Sequence, residues 1–223
     1  MARFERLQVY QVLLQSGLVP LFYCPEADVA KKIAEAAVEG GAKIIEFTNR
    51  GDRALDVYKT LNEFCAMQRK DVILGVGSVL DAPTAALYIA AGANFIVAPL
   101  FDIETARLCN RRKIPYLPGV GSVTEISKAE EWGVEVVKLF PGKEVGGPGF
   151  IKAVKGPMPW TRIMPTGGVE ATRESIRSWF SAGACAVGMG SNLVTKEMLA
   201  GKDLSVLIER VHTCLEWIHE KTE

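Results

Sequence analysis

The residue best placed to do chemistry in this chain is a lysine in the middle of an apolar strand. Val134-Glu135-Val136-Val137-Lys138-Leu139-Phe140-Pro141 is rich in β-branched and aromatic residues and ends at Pro-Gly. Such a stretch reads as one strand of a buried parallel sheet. Most lysines in strands sit at an edge or extend the ammonium to water, and few are fully buried without a partner. Burial disfavours the charged form and lowers the pKa, so neutral amine exists near pH 7. A neutral amine in a dry pocket attacks a carbonyl carbon and forms a Schiff base. A second charge stands inside Lys43-Ile44-Ile45-Glu46-Phe47-Thr48-Asn49-Arg50. Side chains alternate along a strand, so Ile44, Glu46 and Thr48 share one face, and Val136, Lys138 and Phe140 share another. If both faces point into one interior, Glu46 and Lys138 partner each other, and a buried acid–base pair with no structural need marks a functional site.

These residues need a frame, and the chain has a rhythm that supplies one. Alanine-rich helical segments end at Gly and lead into short apolar strands, as at Gly40-Gly41-Ala42, Ala91-Gly92-Ala93, Trp132-Gly133 and Ala182-Gly183-Ala184. Glycine there supplies the left-handed cap. Strands are expected near 18–24, 43–48, 72–76, 94–98, 115–118, 134–140, 161–166 and 184–189. Helices are expected near 27–40, 53–70, 82–92, 102–112, 122–132, 148–155 and 170–182. Eight strands alternating with helices predict a (β/α)8 TIM barrel with an extra N-terminal helix near 3–16. The boundaries are 1–17 for that helix, 18–200 for the barrel and 201–223 for a C-terminal helix, all in one domain of 1–223. A doubly wound sheet is the rival, but it needs a glycine-rich turn after its first strand, and Phe22-Tyr23-Cys24-Pro25-Glu26 stands there instead.

A barrel gathers its function at the C-terminal ends of its strands. Those ends carry Glu46, Thr48 and Arg50; Gly77 and Ser78; Pro99; Lys138 and Phe140; Thr166, Gly167 and Gly168; and Gly190 and Ser191. Pro165-Thr166-Gly167-Gly168 ends the seventh strand, and Gly188-Met189-Gly190-Ser191-Asn192 ends the eighth and is expected to open a helix. Barrels often bind phosphate between these loops, on backbone N–H groups and a helix N-terminus. Ser191 either donates to that phosphate or caps the helix. Arg50 suits a carboxylate, which arginine holds bidentately, and its charge would help keep Lys138 deprotonated. The parts describe a substrate with a carboxylate, an adjacent ketone and a distal phosphate. Retro-aldol cleavage fits, with Glu46 as general acid and base.

Composition removes other classes. The 223 residues carry 26 basic and 26 acidic side chains, which suggests neither a nucleic-acid surface nor an acidic tail. Cys24, Cys65, Cys109, Cys185 and Cys214 are scattered, with no Cys-x-x-Cys pair, and read as reduced thiols of a cytosolic, hence cytoplasmic, protein. The two histidines, His212 and His219, flank the apolar stripe of a terminal amphipathic helix. A Ser-His-Asp triad or a multi-histidine metal site has almost no material here. No stretch approaches membrane-spanning length, and the N-terminus lacks an apolar run of signal-peptide type.

The segments Glu46-Phe47-Thr48-Asn49-Arg50, Gly75-Val76-Gly77-Ser78-Val79, Val137-Lys138-Leu139-Phe140-Pro141, Pro165-Thr166-Gly167-Gly168 and Gly190-Ser191 resemble those of the 2-dehydro-3-deoxy-6-phosphogluconate/4-hydroxy-2-oxoglutarate aldolases, in order and over nearly the whole chain. The resemblance implies a class I aldolase without metal or cofactor, a homotrimer of (β/α)8 barrels that takes a 2-keto acid. It implies Lys138 as the Schiff-base lysine and Glu46 as the proton carrier. Arg50 and Ser78 would hold the substrate carboxylate, with Thr48, Pro99, Phe140 and Thr166 around the substrate. Gly167, Gly168, Gly190 and Ser191 would form the phosphate site. Ser78 stands where the family usually has threonine, which keeps the hydroxyl and loses the methyl. Leu21-Phe22-Tyr23 replaces an arginine or smaller groups of some relatives, and the loop Gly142–Gly149 is glycine-rich. Alternatives are a 4-hydroxy-2-oxoglutarate or galactonate-epimer aldolase, or a phosphate-binding barrel isomerase or synthase with Lys138 acting only by its charge. A non-catalytic sugar-phosphate binder has no need of a buried Lys–Glu pair.

Overall fold

Strands and helices alternate through the computed structural model, which describes residues 2–200 and 203–220. The strands are β1 Leu18–Phe22, β2 Ile44–Thr48, β3 Ile73–Gly77, β4 Ile96–Val97, β5 Tyr116–Leu117, β6 Gly119–Val120, β7 Val137–Leu139, β8 Ile163–Pro165 and β9 Val187–Met189. The helices are α1 Arg6–Ser16, α2 Ala27–Glu39, α3 Ala54–Gln68, α4 Ala82–Ala90, α5 Ile103–Arg112, α6 Val123–Glu131, α7 Gly147–Lys155, α8 Arg173–Ser181, α9 Lys196–Leu199 and α10 Ser205–His219. Asp81, Asp102, Ser122 and Thr172 each accept a backbone N–H from the first turn of the helix they precede. Each such cap stabilises its helix by about 1 kcal/mol. The cap at Thr172 is why α8 begins later than the expected residue 170.

All strand pairings are parallel. One sheet runs β5-β4-β3-β2-β1-β9 and another β6-β7-β8. A Thr166–Gly188 bridge and the Cys185 N–H donated to the Ile163 carbonyl link β8 to β9. The first strand pairs with the last, β1 with β9, which an open doubly wound sheet does not do. The result is a parallel α/β fold of barrel-like form.

Two apolar layers fix the register. Ile45 and Phe47 of β2 and Val137 and Leu139 of β7 face the helices. Ile44, Ile73, Phe95, Val136 and Met164 pack together inside, joined by Val9, Tyr10 and Leu13 of α1. With a side-chain period of two, Ile44 inside puts Glu46 and Thr48 inside, and Val136 inside puts Lys138 inside. The expectation of shared faces on these two strands holds.

Several boundaries differ from expectation. The strand expected over 134–140 is β7 alone, because Val134 finishes the turn after α6 and the exposed Glu135 reaches Arg162. The strand expected over 115–118 is split into β5 and β6 at Pro118. Proline has no N–H for the ladder, so β5 pairs with β4 while β6 pairs with β7. Gly190-Ser191-Asn192 opens a turn, not a helix: the Leu193 and Val194 N–H groups both go to the Gly190 carbonyl, and α9 starts only at Lys196. Of the C-terminal helix expected over 201–223, α10 occupies Ser205–His219, and residues 201, 202 and 221–223 lie outside the described residues. Among the described residues no helix is long and apolar enough to cross a membrane.

Candidate active site

Lys138 is 5 % exposed and Glu46 1 % exposed. Both point into the interior, one from β7 and one from β2. Burial drives the Lys138 amine below the ordinary lysine range; the Glu46 charge opposes this and the Arg50 charge adds to it. Burial also raises the Glu46 carboxyl, against the pull of Lys138 and Arg50. Both shifts favour the neutral forms, an amine that can attack and an acid that can carry a proton. The ring of Phe140 lies below the amine, its centroid 4.9 Å from Nζ.

The expected partnership of Glu46 and Lys138 is electrostatic. The two act on each other through space without a salt bridge, and Glu46 Oε2 has no hydrogen-bond partner. The Glu46 carboxyl instead leans on β3, against the Cα of Gly77. Thr48, two residues on along the same face, is Gly77's register partner. Its Oγ1 is buried and unpartnered, as is Oγ1 of Thr166. A Cβ on Gly188 would overlap that Thr166 hydroxyl, so glycine on β9 gives it room.

The remaining expected residues ring the same end of the strands. Arg50 is exposed just beyond β2 and close enough to act on both buried charges. Ser78 follows β3 half-buried, with φ 59°, the left-handed region. Non-glycine residues there carry strain of about 1–3 kcal/mol and cluster at functional sites; serine suits this φ better than a β-branched residue. Half-buried Pro99 backs Gly119, whose side chain would overlap the Pro99 carbonyl, and Gly119 is in register with Lys138.

Gly167 and Gly168, at φ 91° and 75°, take a path that glycine adopts freely. The turn at Gly190-Ser191 lies beside them, with Ser191 exposed. Asn192 donates its side-chain amide to the Val169 carbonyl at 2.9 Å, tying the two loops together. The aliphatic stem of exposed Lys143 covers Gly168, and its backbone N–H goes to the Gly167 carbonyl. Sequence reasoning missed Asn192 and Lys143. The only signal was their position beside the glycine loops. Among the described residues no three His, Cys, Asp or Glu side chains gather as a metal ion would require.

A barrel-like α/β fold holding a buried, charge-suppressed lysine and a buried carboxyl in its interior defines an enzyme of lysine-based carbonyl chemistry. The family model for KDPG and KHG aldolase matches residues 9–211, and the chain belongs to that family. The 2-dehydro-3-deoxy-phosphogluconate aldolase of Treponema pallidum is 30% identical over 199 residues, 89% of this chain and 92% of that protein. The enzyme of the same name from Haemophilus influenzae is 31% identical over 192 residues, 86% and 88% of the two chains. Among solved structures, KDPG aldolase from Legionella pneumophila, with pyruvate captured at low pH as a covalent carbinolamine intermediate, is 29% identical. It superposes with a TM-score of 0.82 over 90% of this chain and 95% of that one. The family resemblance carried by the sequence motifs is borne out.

Proposed function

We propose that the protein cleaves 2-dehydro-3-deoxy-6-phosphogluconate to pyruvate and glyceraldehyde 3-phosphate through a Schiff base on Lys138. The neutral amine adds to the C2 ketone, and the protonated Glu46 carboxyl gives its proton to the carbinolamine hydroxyl, which leaves as water to give an iminium and the Glu46 carboxylate. The Glu46 carboxylate takes the proton of the C4 hydroxyl, the C3–C4 bond breaks, and its electron pair enters the iminium to give an enamine. Glyceraldehyde 3-phosphate departs, Glu46 returns the proton to C3, and water hydrolyses the new iminium to pyruvate and free amine, the released proton going back to Glu46. Arg50 and the Ser78 hydroxyl hold the C1 carboxylate. Thr48, Pro99, Phe140 and Thr166 surround the chain of carbons. The backbone at Gly167, Gly168 and Gly190 and the Ser191 hydroxyl hold the phosphate, with Lys143 adding positive charge.

The observation that carries this reading is Lys138, buried on the inner face with its amine shifted toward neutrality and Glu46 acting on it. A 4-hydroxy-2-oxoglutarate substrate would use the same pair but leave the two glycine loops idle, so the phosphorylated substrate is favoured. The test is reduction with borohydride in the presence of pyruvate, followed by peptide mapping. One reduced pyruvate unit is expected on the peptide holding Lys138; an adduct elsewhere, or none, overturns the mechanism.

We infer further that the strands form a complete (β/α)8 barrel in one domain over 1–223, with β5 and β6 as two pieces of the fifth strand and α1 plugging the end opposite the site. The α1 contacts with the inner cluster support this. Leu80, Leu100 and Val123, exposed just beyond the C-terminal ends of neighbouring strands β3, β4 and β6, together with exposed Leu87 of α4, support a homotrimer that covers them. Five free cysteines suit a cytoplasmic location.

A further inference from the structure

Two glycines on β3, Gly75 and Gly77, are both buried and both extended, with neither φ in the left-handed region. The backbone at each would accept a side chain, so whatever excludes one must be a neighbour. At Gly75 the neighbour is the Phe95 ring, a core packing group of the inner cluster. At Gly77 the three nearest atoms a Cβ would meet are Oε1, Cδ and Cγ of Glu46. The atoms closest above Gly77 all belong to the Glu46 side chain, its carboxyl nearest.

We propose that Gly77 is a positioning residue for Glu46: its missing side chain is the notch in which the carboxyl lies, and this fixes where the proton is taken up and returned. The proposal rests on the reading of Glu46 as the proton carrier. It predicts an unusual separation of effects. The atoms displaced by a Cβ at Gly77 belong to the far end of one flexible side chain, so the fold should accommodate the substitution. The carboxyl, however, must swing off β3 and away from the reacting carbons. A misplacement on the order of 1 Å in a catalytic group costs about 10²-fold in rate.

The experiment compares Gly77→Ala with the unmodified enzyme in three assays: thermal unfolding, borohydride trapping of pyruvate, and exchange of the pyruvate methyl protons with deuterated water. Exchange requires the enamine and therefore the base; the extent of trapping at equilibrium, unlike its rate, requires only the lysine. Unfolding temperature and the extent of trapping should hold while exchange and cleavage fall by about 10²-fold. Glu46→Asp shortens the side chain by one methylene and withdraws it from the notch. In that background Gly77→Ala should cost less than about 3-fold in exchange, the non-additivity expected of residues in contact. Exchange within about 3-fold of normal in Gly77→Ala, or an equal cost in both backgrounds, overturns the proposal. Should Gly77→Ala fail to fold, Gly77→Ala in a Glu46→Ala background should fold, because the closest overlapping atoms are gone; failure there too overturns it. Glu46→Gln is the separate control. Near-normal exchange in that variant would remove the role of Glu46 itself, and this proposal with it. Loss of exchange in Glu46→Gln but not in Gly77→Ala would refute the positioning role alone.

Discussion

Replacing Glu46 by glutamine should move two measurable quantities in different ways. The amide keeps the length of the side chain and its reach over Gly77, so the notch remains filled. It removes the base, and Glu46 Oε2 has no hydrogen-bonded neighbour to take over its proton transfer. Turnover should therefore fall by about 10²–10⁴-fold, the range for a positioned general acid–base group, or about 3–5 kcal/mol of barrier. The second effect is on Lys138. Of the influences on its amine, Glu46 is the one that raises the pKa, while burial and Arg50 lower it. Without the Glu46 charge the Lys138 pKa falls further, and free amine persists to lower pH. Rapid-quench trapping of pyruvate with borohydride across pH should show the acid limb of imine formation displaced to lower pH, whatever happens to the plateau. Steady-state cleavage under the same conditions should show the collapse of turnover. An acid limb that stays put or moves to higher pH would refute the electrostatic reasoning. Turnover within about tenfold of normal would make Glu46 a structural group.

Arg50→Gln should raise KM for pyruvate-forming substrates by about tenfold, the low end for hydrogen bonds to charged groups because Arg50 is exposed. It should also shift the acid limb of imine formation to higher pH, since Arg50 lowers the Lys138 pKa; steady-state kinetics and the same trapping profile check both. The proposed phosphate role of the glycine loops is best tested at Lys143. Gly168 has φ 75° and is covered by the Lys143 stem, so any side chain there would confuse strain with charge. Lys143→Glu should lower kcat/KM for a phosphorylated 2-keto-3-deoxy acid by about tenfold, corresponding to about 1.4 kcal/mol, with the unphosphorylated analogue little affected. Equal losses for both substrates would detach Lys143 from the phosphate.

The buried Glu46–Lys138 pair was legible in the sequence because a strand's alternation is strict. Once Ile44 and Val136 are read as core, Glu46 and Lys138 must share their faces. The glycine loops were legible because only glycine takes such backbone paths freely. Contacts made by side chains across the sheet were not. The lean of Glu46 onto β3 depends on a glycine distant in sequence, and the absence of a direct Glu46–Lys138 bridge follows from that lean. Asn192 and Lys143 are ordinary loop residues until the fold brings the β7, β8 and β9 loops together. The division of the fifth strand was signalled by Pro118, but which neighbour each half would join is a property of the whole sheet.

The site and the core are parts of one register. Glu46 Oε2, Thr48 Oγ1 and Thr166 Oγ1 are buried with no hydrogen-bond partner from the protein. The interior carries them at one end because the other end is closed by Ile44, Ile73, Phe95, Val136 and Met164 against α1. A slip of β2 by one residue would exchange every side chain between its faces. Phe47 would then enter the interior, and Glu46 would be driven among the helix-facing residues that Phe47 now joins. The packing of Ile45 and Phe47 on the helix side, and of Ile44 inside, opposes that slip. The apolar layer beneath the site therefore does more than stabilise the fold. It holds Glu46 on its face, over Gly77 and in electrostatic reach of the lysine.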